Sequence, residues 1–250
     1  MRLWIPAIRA LAVLVFFACW ELFPRLGLVN PALLPTFSEV VSTLWGLLSR
    51  PKVQDSIFIT AAEVLLAFAV AIPVGTILGV IIAENQYIGA IFRPILFYVF
   101  SIPKSIFLPM FILVFGISFT QKVAYAAFTT TFVVLMSAAA CVESVKEEFL
   151  LVARSYGATR MQLLMRVYLP SMLPMLLEAI RIAMIFNFTG VMIAEMYASR
   201  TGIGHLIAGW GENFQMPQLF AGILLLSIIA IIFNESIRIL EERFSTWRTT

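Results

Sequence analysis

Four polar residues inside apolar stretches are the side chains best placed to do chemistry. Lys104, Arg181, Asn187 and Glu195 each lie in a run of mostly apolar residues. Charged groups in membrane-spanning helices are costly and commonly mark the path of a polar solute. Arg181 and Glu195 are fourteen residues apart, close to four helical turns, so they share a helix face. We predict that the four residues line a translocation pathway. The alternative is that they, and the nearby Glu178, pair with neighbouring helices or extend to the membrane interface.

The residue types give little support to enzymatic or metal-dependent chemistry. The single histidine, His205, lies in a glycine-rich stretch that predicts a loop, and no second histidine is available to share a metal ion. Cys19 and Cys141 lie in apolar runs without metal-ligand or redox spacing, which is typical of small core residues. The sequence has no phosphate-binding glycine loop, no metalloprotease motif and no serine-hydrolase elbow. We therefore expect no catalytic residue, metal or cofactor in this chain; if ATP drives it, another chain binds ATP and Mg²⁺.

The segment from Glu147 to Pro170 has the pattern of a docking element. Phe149, Ala153 and Tyr156 recur at positions i, i+4 and i+7, which predicts a short helix with one apolar face. Two glutamates open this helix, where negative charge interacts favourably with the helix dipole.

A glycine turn and a second, capped helix follow in the same segment. Gly157 is expected to end the first helix. Thr159 and Gln162 have the spacing of a capping box, in which two side chains satisfy free backbone N–H groups of a new helix. We predict that this second helix lasts until Pro170. A connection with this much local structure indicates a docking surface for a soluble partner.

The composition places these residues in a membrane-embedded helical protein. Of 250 residues, 61% are hydrophobic and 12% are charged, and the mean hydropathy is +0.98. Helices cross a bilayer as apolar runs of roughly 20 residues, because backbone polar groups must be paired within the segment. We predict an all-α integral membrane fold with about six transmembrane helices, near residues 7–23, 57–83, 88–116, 123–142, 172–198 and 219–240. The first run has no small-residue cleavage site after it, so we expect an uncleaved span.

Lysine and arginine residues are unequally divided between the two sides of these spans. Ten lie on one side: Arg2, Arg9, Arg93, Lys146, Arg154, Arg160, Arg166, Arg238, Arg243 and Arg248. Five lie on the other: Arg25, Arg50, Lys52, Lys122 and Arg200. Because cytoplasmic loops carry the excess of positive charge, we predict that both termini and the docking element are cytoplasmic. The net charge of +3 follows from this bias and indicates no nucleic-acid partner.

Three further features concern the packing of the spans. Residues 30–55 contain an amphipathic stretch, which predicts an extracytoplasmic helix at the membrane interface. Gly75 and Gly79 in the second span are four residues apart, a pattern that lets helices approach closely. The third span contains Pro94, Pro103 and Pro109. It is either a broken span that lines a cavity or a helix that is merely kinked.

The docking element resembles the EAA motif of the permease subunits of binding-protein-dependent ABC importers. Ala153, Gly157, Leu169 and Pro170 match this motif, whereas Leu151 stands where the family has glutamate. In the family, the segment is a coupling helix that sits in a groove of the ATPase subunit. The resemblance implies that residues 147–170 form a coupling segment. Its implied ATPase-coupling residues are Phe149, Ala153, Tyr156, Gly157, Ala158, Thr159, Arg160, Leu169 and Pro170.

Other stretches extend the resemblance to nearly the whole chain. They are similar to permeases of the nitrate/sulfonate/taurine branch, which also includes permeases for bicarbonate and for vitamin precursors. The matching stretches are Leu34-Pro35, Pro103-Lys104, Phe115-Gly116-Ile117 and residues 193–196, 201–204 and 220–223. Glu63 departs from the branch, since a basic or neutral residue is expected at its position in the second span.

The resemblance implies a type I ABC importer permease fold with a cytoplasmic coupling helix. Residues 1–56 would form the first transmembrane helix and the extracytoplasmic segment, and residues 57–245 a core permease domain with five transmembrane helices. The implied partners are a second copy of this chain, two ABC ATPase subunits, a periplasmic or lipid-anchored substrate-binding protein and the lipid of a bacterial inner membrane. The implied solute is a small anion of the nitrate, sulfonate, taurine or bicarbonate type. The alternative is a vitamin precursor of the hydroxymethylpyrimidine or riboflavin type.

Two other classes of protein were weighed against this interpretation. A channel or ion-coupled secondary transporter should show inverted repeats or a carboxylate-rich midplane, and the sequence shows neither. A membrane-embedded enzyme should have clustered His, Asp or Glu residues in its spans, and the chain has one histidine.

Overall fold

Helices account for all regular structure in the part of the chain that the structure describes. The computed structural model describes residues 4–245, apart from the side chains of residue 240 and residues 242–245. The helices are α1 (Trp4–Arg25), α2 (Phe37–Leu48), α3 (Pro51–Glu84), α4 (Gln86–Ser101), α5 (Leu108–Phe115), α6 (Phe119–Glu143), α7 (Glu147–Ser155), α8 (Arg160–Leu163), α9 (Leu169–Tyr197), α10 (Ile203–Glu212) and α11 (Met216–Ser245). Of the charges counted for orientation, Arg2, Arg248 and the Arg243 side chain lie outside the described residues.

The predicted membrane-spanning helices are present. Among the described residues, five helices are long and apolar enough to cross a bilayer: α1, α3, α6, the continuous helix from α8 through α9, and α11 as far as Ile239. Helix α4 and the segment Lys104–Phe115 form a bent pair. If this pair counts as one span, the described residues contain six membrane-spanning segments. The prediction of an all-α membrane fold with about six spans is confirmed.

The third predicted span is broken and not merely kinked. Helix α4 ends at Ser101, and the chain bends by 89° before the helical segment Lys104–Phe115. Pro103 stands between the two parts, has no backbone N–H and disfavours helical conformation in the residue before it. Pro94 lies inside α4, and Pro109 lies in the first turn of α5, where a missing N–H costs least. Only one of the three prolines therefore interrupts the helix.

The helix that follows the capping box does not end at Pro170, which corrects the prediction. One helix of 38 residues runs from Arg160 to Tyr197. A π-helical turn, Leu164–Tyr168, ends two residues before the proline, and the Leu169 N–H donates to the Leu164 carbonyl. This wider turn shifts the hydrogen-bond pattern at the point where proline supplies no N–H, so the helix continues.

The chain forms two compact units, the first of which combines the residues up to Thr60 with Arg200–Ile229. The buried core of this unit consists of Val40, Leu47, Val53, Ile203, Leu206, Ile207, Ala221 and Leu225. The amphipathic stretch is helix α2, as predicted, and its buried residues pack against protein. Its placement at the membrane interface stays a prediction.

The glycine-rich stretch around His205 is helix α10 and not the predicted loop. Gly202, with a φ of +100°, directly precedes the helix. The Ile203 N–H donates to Thr60 Oγ1 at 3.0 Å, which satisfies one N–H at the helix start. The apolar residues of α10 are buried at helical spacing, and this packing outweighs the low helix propensity of its glycines.

The second unit comprises Ala61–Ser199 and the chain from Ala230 onward. Glycines bring α3 close to α6 in this unit: a Cβ at Gly79 would lie 2.5 Å from the Leu135 carbonyl oxygen, and Gly75 is similarly crowded. The predicted close approach at these two glycines is confirmed. The predicted domain boundary after residue 56 stays a prediction.

Candidate functional site

A Schellman turn at Gly157 ends α7 in the coupling segment, residues 147–170. Gly157 has a φ of +74°, and its N–H donates to the Arg154 carbonyl at 2.9 Å. The Ala158 N–H donates to the Ala153 carbonyl at 3.1 Å, so two carbonyls at the helix end are satisfied. A Cβ at position 157 would meet no atom within 4 Å. The positive φ, and not a lack of space, therefore requires glycine here.

The capping box predicted for the next helix is present. The Gln162 N–H donates to Thr159 Oγ1 at 3.3 Å, and the Thr159 N–H donates to Gln162 Oε1 at 2.8 Å. Only Ala158 and Thr159 separate Gly157 from Arg160, the first residue of the long helix. Backbone and capping hydrogen bonds thus determine how α7 joins that helix.

One side of the coupling segment packs on the second unit. Leu150, Ala153, Ala158 and Leu169 contact a buried cluster to which α3, α6 and α9 contribute, together with Leu163 and Tyr168 of the coupling segment itself. That cluster consists of Val80, Ala138, Cys141, Val142, Leu163, Tyr168, Met172 and Leu176. These contacts hold the coupling segment against the ends of the membrane-spanning helices.

The other side of α7 exposes an apolar patch. We name this the α7 patch; it consists of Phe149, Val152 and Tyr156, which recur at helical spacing. These side chains are 50%, 58% and 88% exposed, respectively. The predicted apolar face is therefore divided, because Ala153 packs inward while Phe149 and Tyr156 are exposed. Several large apolar residues exposed together are typical of an interaction site.

Leu151, at the position of the motif's glutamate, is also exposed. Glu147 and Glu148, one turn earlier in α7, are exposed acids that could take the place of that glutamate.

A cleft of about 720 Å³ lies between the coupling segment and the turn that joins α3 to α4. Arg154 and Arg160 line it from the coupling segment, and Glu84 and Tyr87 line it from the turn. The coupling segment therefore presents positively charged side chains as well as the α7 patch.

Lys104 caps the end of α4 at the break in the third span. Its Nζ donates to the carbonyls of Val99, Phe100 and Ile102 at 3.0, 2.7 and 2.9 Å. Nζ also lies 4.9 Å from the centroid of the Phe100 ring and 5.6 Å from that of Phe132. An ammonium group has three N–H donors, and these three carbonyls can accept all of them. Lys104 thus has a capping role, and its role in a pathway stays a prediction.

Arg181 and Asn187 have protein partners on other helices. Arg181 Nη1 lies 3.6 Å from Glu241 Oε2, and both side chains are partly buried. Asn187 is fully buried; its Nδ2 donates to the Val64 carbonyl at 2.8 Å, and its Oδ1 accepts from Thr130 Oγ1 at 3.3 Å. Asn187 therefore links α9 to α3 and α6, and pathway roles for both residues stay predictions.

Glu195 is fully buried in a charged cluster with Glu63 and Lys122. Lys122 of α6 forms an ion pair with Glu63 of α3, and the Glu195 carboxyl group is an electrostatic neighbour of Glu63. The structure therefore does not bring the four predicted pathway residues together. A pathway role for Glu195 stays a prediction.

The exposed side of α9 carries different residues from the predicted stripe. The exposed residues on this side of α9 are three, four or seven positions apart, so they share one helix face. They are Glu178, Ile182, Ile185, Thr189 and Met196. Asn187 and Glu195 face α3 and α6 and therefore do not belong to this exposed side.

The family model described as "Binding-protein-dependent transport system inner membrane component" matches residues 71–246, which is more than half of the chain. This chain belongs to that family. The matched range contains the whole coupling segment, so the ABC importer permease predicted from the EAA-like motif is confirmed.

Curated relatives of this permease span almost its whole length. It is 28% identical over 246 residues to the taurine transport system permease protein TauC of Escherichia coli (strain K12), covering 96% of this chain and 89% of TauC. It is 25% identical to the putative aliphatic sulfonates transport permease protein SsuC of Bacillus subtilis (strain 168), covering 99% and 89%. It is 28% identical to the formylaminopyrimidine transport permease protein ThiX of Halalkalibacterium halodurans, covering 94% and 93%. The predicted resemblance to taurine and sulfonate permeases is confirmed.

Solved ABC transporters share the fold of this permease. An inward-facing structure of the MetNI methionine ABC transporter aligns with a TM-score of 0.63 and 20% identity, covering 84% of this chain and 98% of that chain. A bacterial ABC transporter involved in alginate import aligns with a TM-score of 0.66 and 15% identity, covering 96% of both chains. The predicted ABC importer permease fold is confirmed.

The pair formed by Glu63 and Lys122 is a feature that was not predicted from the sequence. A signal was present, because a carboxylate and an ammonium each lay inside an apolar helix, where a charge needs a partner. Lys122 is 2% exposed and was wrongly counted among the loop charges. Without it, ten charges on one side stand against four on the other, which strengthens the bias behind the predicted orientation.

Proposed function

We propose that two copies of this permease form the membrane-spanning part of an importer, and that each copy docks one ATPase subunit through its coupling segment. The α7 patch is the observation that carries this proposal, because it exposes aromatic residues on a helix whose junction is defined by hydrogen bonds. Aromatic side chains are enriched among the residues that dominate binding energy at protein interfaces. Arg154 and Arg160, which line the cleft next to the α3–α4 turn, add charge that can select an acidic partner surface.

The coupling segment is suited to transmit motion from a partner into the membrane. Its helix joins the 38-residue helix from Arg160 to Tyr197 through two intervening residues after Gly157. A displacement of α7 is therefore passed to a helix that runs through the second unit. ATP and Mg²⁺ are bound by the ATPase subunits, and ATP binding and hydrolysis move the two coupling segments together and apart.

The orientation follows from the charge bias. Both termini and the coupling segment lie in the cytoplasm of a bacterium, with the permease in the inner membrane. A periplasmic or lipid-anchored binding protein delivers the solute from the other side. The exposed stripe of α9, from Glu178 to Met196, faces the pathway between the two copies.

The α7 patch can be tested by co-purification with the cognate ATPase subunit. Phe149→Ser combined with Tyr156→Ser should lower recovery of the ATPase at least about tenfold, because buried aromatic anchors commonly contribute 2 kcal/mol or more each. Trp45→Ser is the matched control, since Trp45 is a large exposed aromatic residue of α2 outside the coupling segment. Equal recovery of the ATPase with the double variant and with wild type would contradict the docking proposal.

The solute is a small organic anion of the sulfonate class. This proposal is supported by the relatives that are named for taurine and aliphatic sulfonate transport. The alternative is a vitamin precursor, because other relatives are named for formylaminopyrimidine and riboflavin transport. Membership of the permease family removes the channel and the ion-coupled secondary transporter as alternatives.

The substrate class can be tested by uptake into cells that contain the permease, its ATPase and its binding protein. Taurine uptake should require all three chains and should be inhibited by other aliphatic sulfonates. Cells lacking only the permease are the control for other taurine carriers. Inhibition by riboflavin or a formylaminopyrimidine, with no response to sulfonates, would favour the vitamin-precursor alternative.

A further inference from the structure

Three charged side chains are buried together where α3, α6 and α9 meet. Glu63 and Glu195 have no exposed surface, and Lys122 is 2% exposed. They are the fully buried charged side chains among the residues that the structure describes. All three belong to the second unit, and none lies in the coupling segment or on the exposed stripe of α9.

The contacts within this cluster join two carboxyl groups to one ammonium group. Lys122 Nζ forms an ion pair with Glu63 Oε1. The Glu195 carboxyl group is an electrostatic neighbour of Glu63. Glu63 Oε2 is buried and has no hydrogen-bond donor if every carboxyl group is ionised.

Charge counting limits the protonation states that this cluster can hold. With both carboxyl groups ionised, the cluster has a net charge of −1 in a place shielded from water, which is strongly unfavourable. An ionised carboxylate can only accept hydrogen bonds, so two ionised carboxylates in contact repel each other. One added proton makes the cluster neutral and gives one carboxyl group an O–H that can donate to the other.

We propose that Glu63, Glu195 and Lys122 form a buried proton-binding site that holds one proton between the two carboxyl groups. The bound ligand is a single proton, and the cluster consists of one carboxylic acid, one carboxylate and one ammonium. It ties three membrane-spanning helices together at no net charge. This site is independent of ATPase docking and of the identity of the solute.

Infrared spectroscopy of the permease in lipid nanodiscs tests this proposal at neutral pH. The permease carries ¹³C-labelled glutamate and is assembled with unlabelled ATPase, so a labelled carboxylic-acid C=O band reports only on permease glutamates. We expect intensity for about one carboxylic acid per chain. Glu63→Gln and Glu195→Gln should each abolish the band, because the remaining carboxylate pairs with Lys122 and has no carboxyl neighbour. Glu178→Gln, which changes an exposed glutamate of α9, should leave the band unchanged.

Removing the ammonium should have the opposite effect. In Lys122→Met, the cluster loses its ammonium group, so both carboxyl groups should be protonated and the band should rise about twofold. Wild type without the band would overturn the proposal, and so would a band that survives in either single glutamine variant. The single glutamine variants keep the cluster neutral and should fold, so the decision does not depend on the folding of Lys122→Met.

Thermal unfolding provides a second measurement on the same variants. Glu63→Gln and Glu195→Gln should each change the unfolding midpoint little, because one carboxylate still neutralises Lys122. The double variant leaves a buried ammonium without any carboxylate, so its midpoint should fall by roughly 5 °C or more beyond the sum of the single changes. Additive changes would show that the two glutamates do not share one proton.

Discussion

Replacing Gly157 by proline should abolish substrate-stimulated ATP hydrolysis, while the permease still inserts into the membrane in normal amount. Proline fixes φ near −65°, whereas Gly157 has a φ of +74°. Proline also lacks the N–H that donates to the Arg154 carbonyl. The change therefore destroys the Schellman turn, at a local cost of about 3 kcal/mol or more, without altering the apolar helices that determine insertion.

Two milder variants separate turn geometry from a general effect of mutation. Gly157→Asn should retain most stimulated hydrolysis, because asparagine tolerates positive φ and a side chain at this position meets open space.

Thr159→Ala removes one half of the capping box and should cost near 1 kcal/mol of local helix stability, with a partial loss of stimulation. Hydrolysis is measured on the complex reconstituted with loaded binding protein, and permease content is measured by immunoblot. Normal stimulation of hydrolysis in Gly157→Pro would contradict a coupling role for this turn.

The features predicted correctly from the sequence have local causes. The capping box of Thr159 and Gln162 involves residues only three positions apart, and the stop at Gly157 depends on one backbone conformation. The spans follow from apolar composition alone, because a bilayer excludes unpaired backbone groups. Neither kind of inference requires knowledge of which helices are neighbours.

The features that were missed depend on tertiary contacts. Gly157 ended α7 as expected, but which face of α7 is buried depends on the ends of α3, α6 and α9, so Ala153 was grouped wrongly with Tyr156. Pro170 was expected to end a helix, and the π-helical turn that carries the helix past it has no simple sequence signature. Glu63 and Lys122 lie on different helices, so their pairing becomes visible only in the folded chain.

Lys104→Met should lower the thermal stability of the purified complex strongly. The ammonium of Lys104 donates to the carbonyls of Val99 and Phe100 in the last turn of α4 and to that of Ile102 just after it, at the 89° break in the span. Methionine has a similar length and no N–H donor, so the Phe100 and Ile102 carbonyls lose this donor, and the Val99 carbonyl keeps only the hydrogen bond from the Ile102 N–H. A buried unpaired polar group costs roughly 1–3 kcal/mol, and the favourable interaction of the charge with the helix end is lost as well.

Lys104→Arg is the matched control for this prediction, because guanidinium keeps the positive charge and offers several N–H donors. It should restore much of the stability that methionine loses. Thermal unfolding of the purified complex and uptake of an anionic solute, normalised to the amount of complex, are measured for all three proteins.

The two measurements separate capping from a role in solute binding. A capping lysine has committed its donors to protein carbonyls, so Lys104→Met should reduce stability and yield while each surviving complex keeps near-normal uptake. A lysine that attracts the anion should show the reverse, with an unchanged unfolding midpoint and a loss of normalised uptake that is smaller for a neutral solute. That second outcome would place Lys104 in the translocation pathway and would mean that its ammonium leaves the α4 carbonyls during transport.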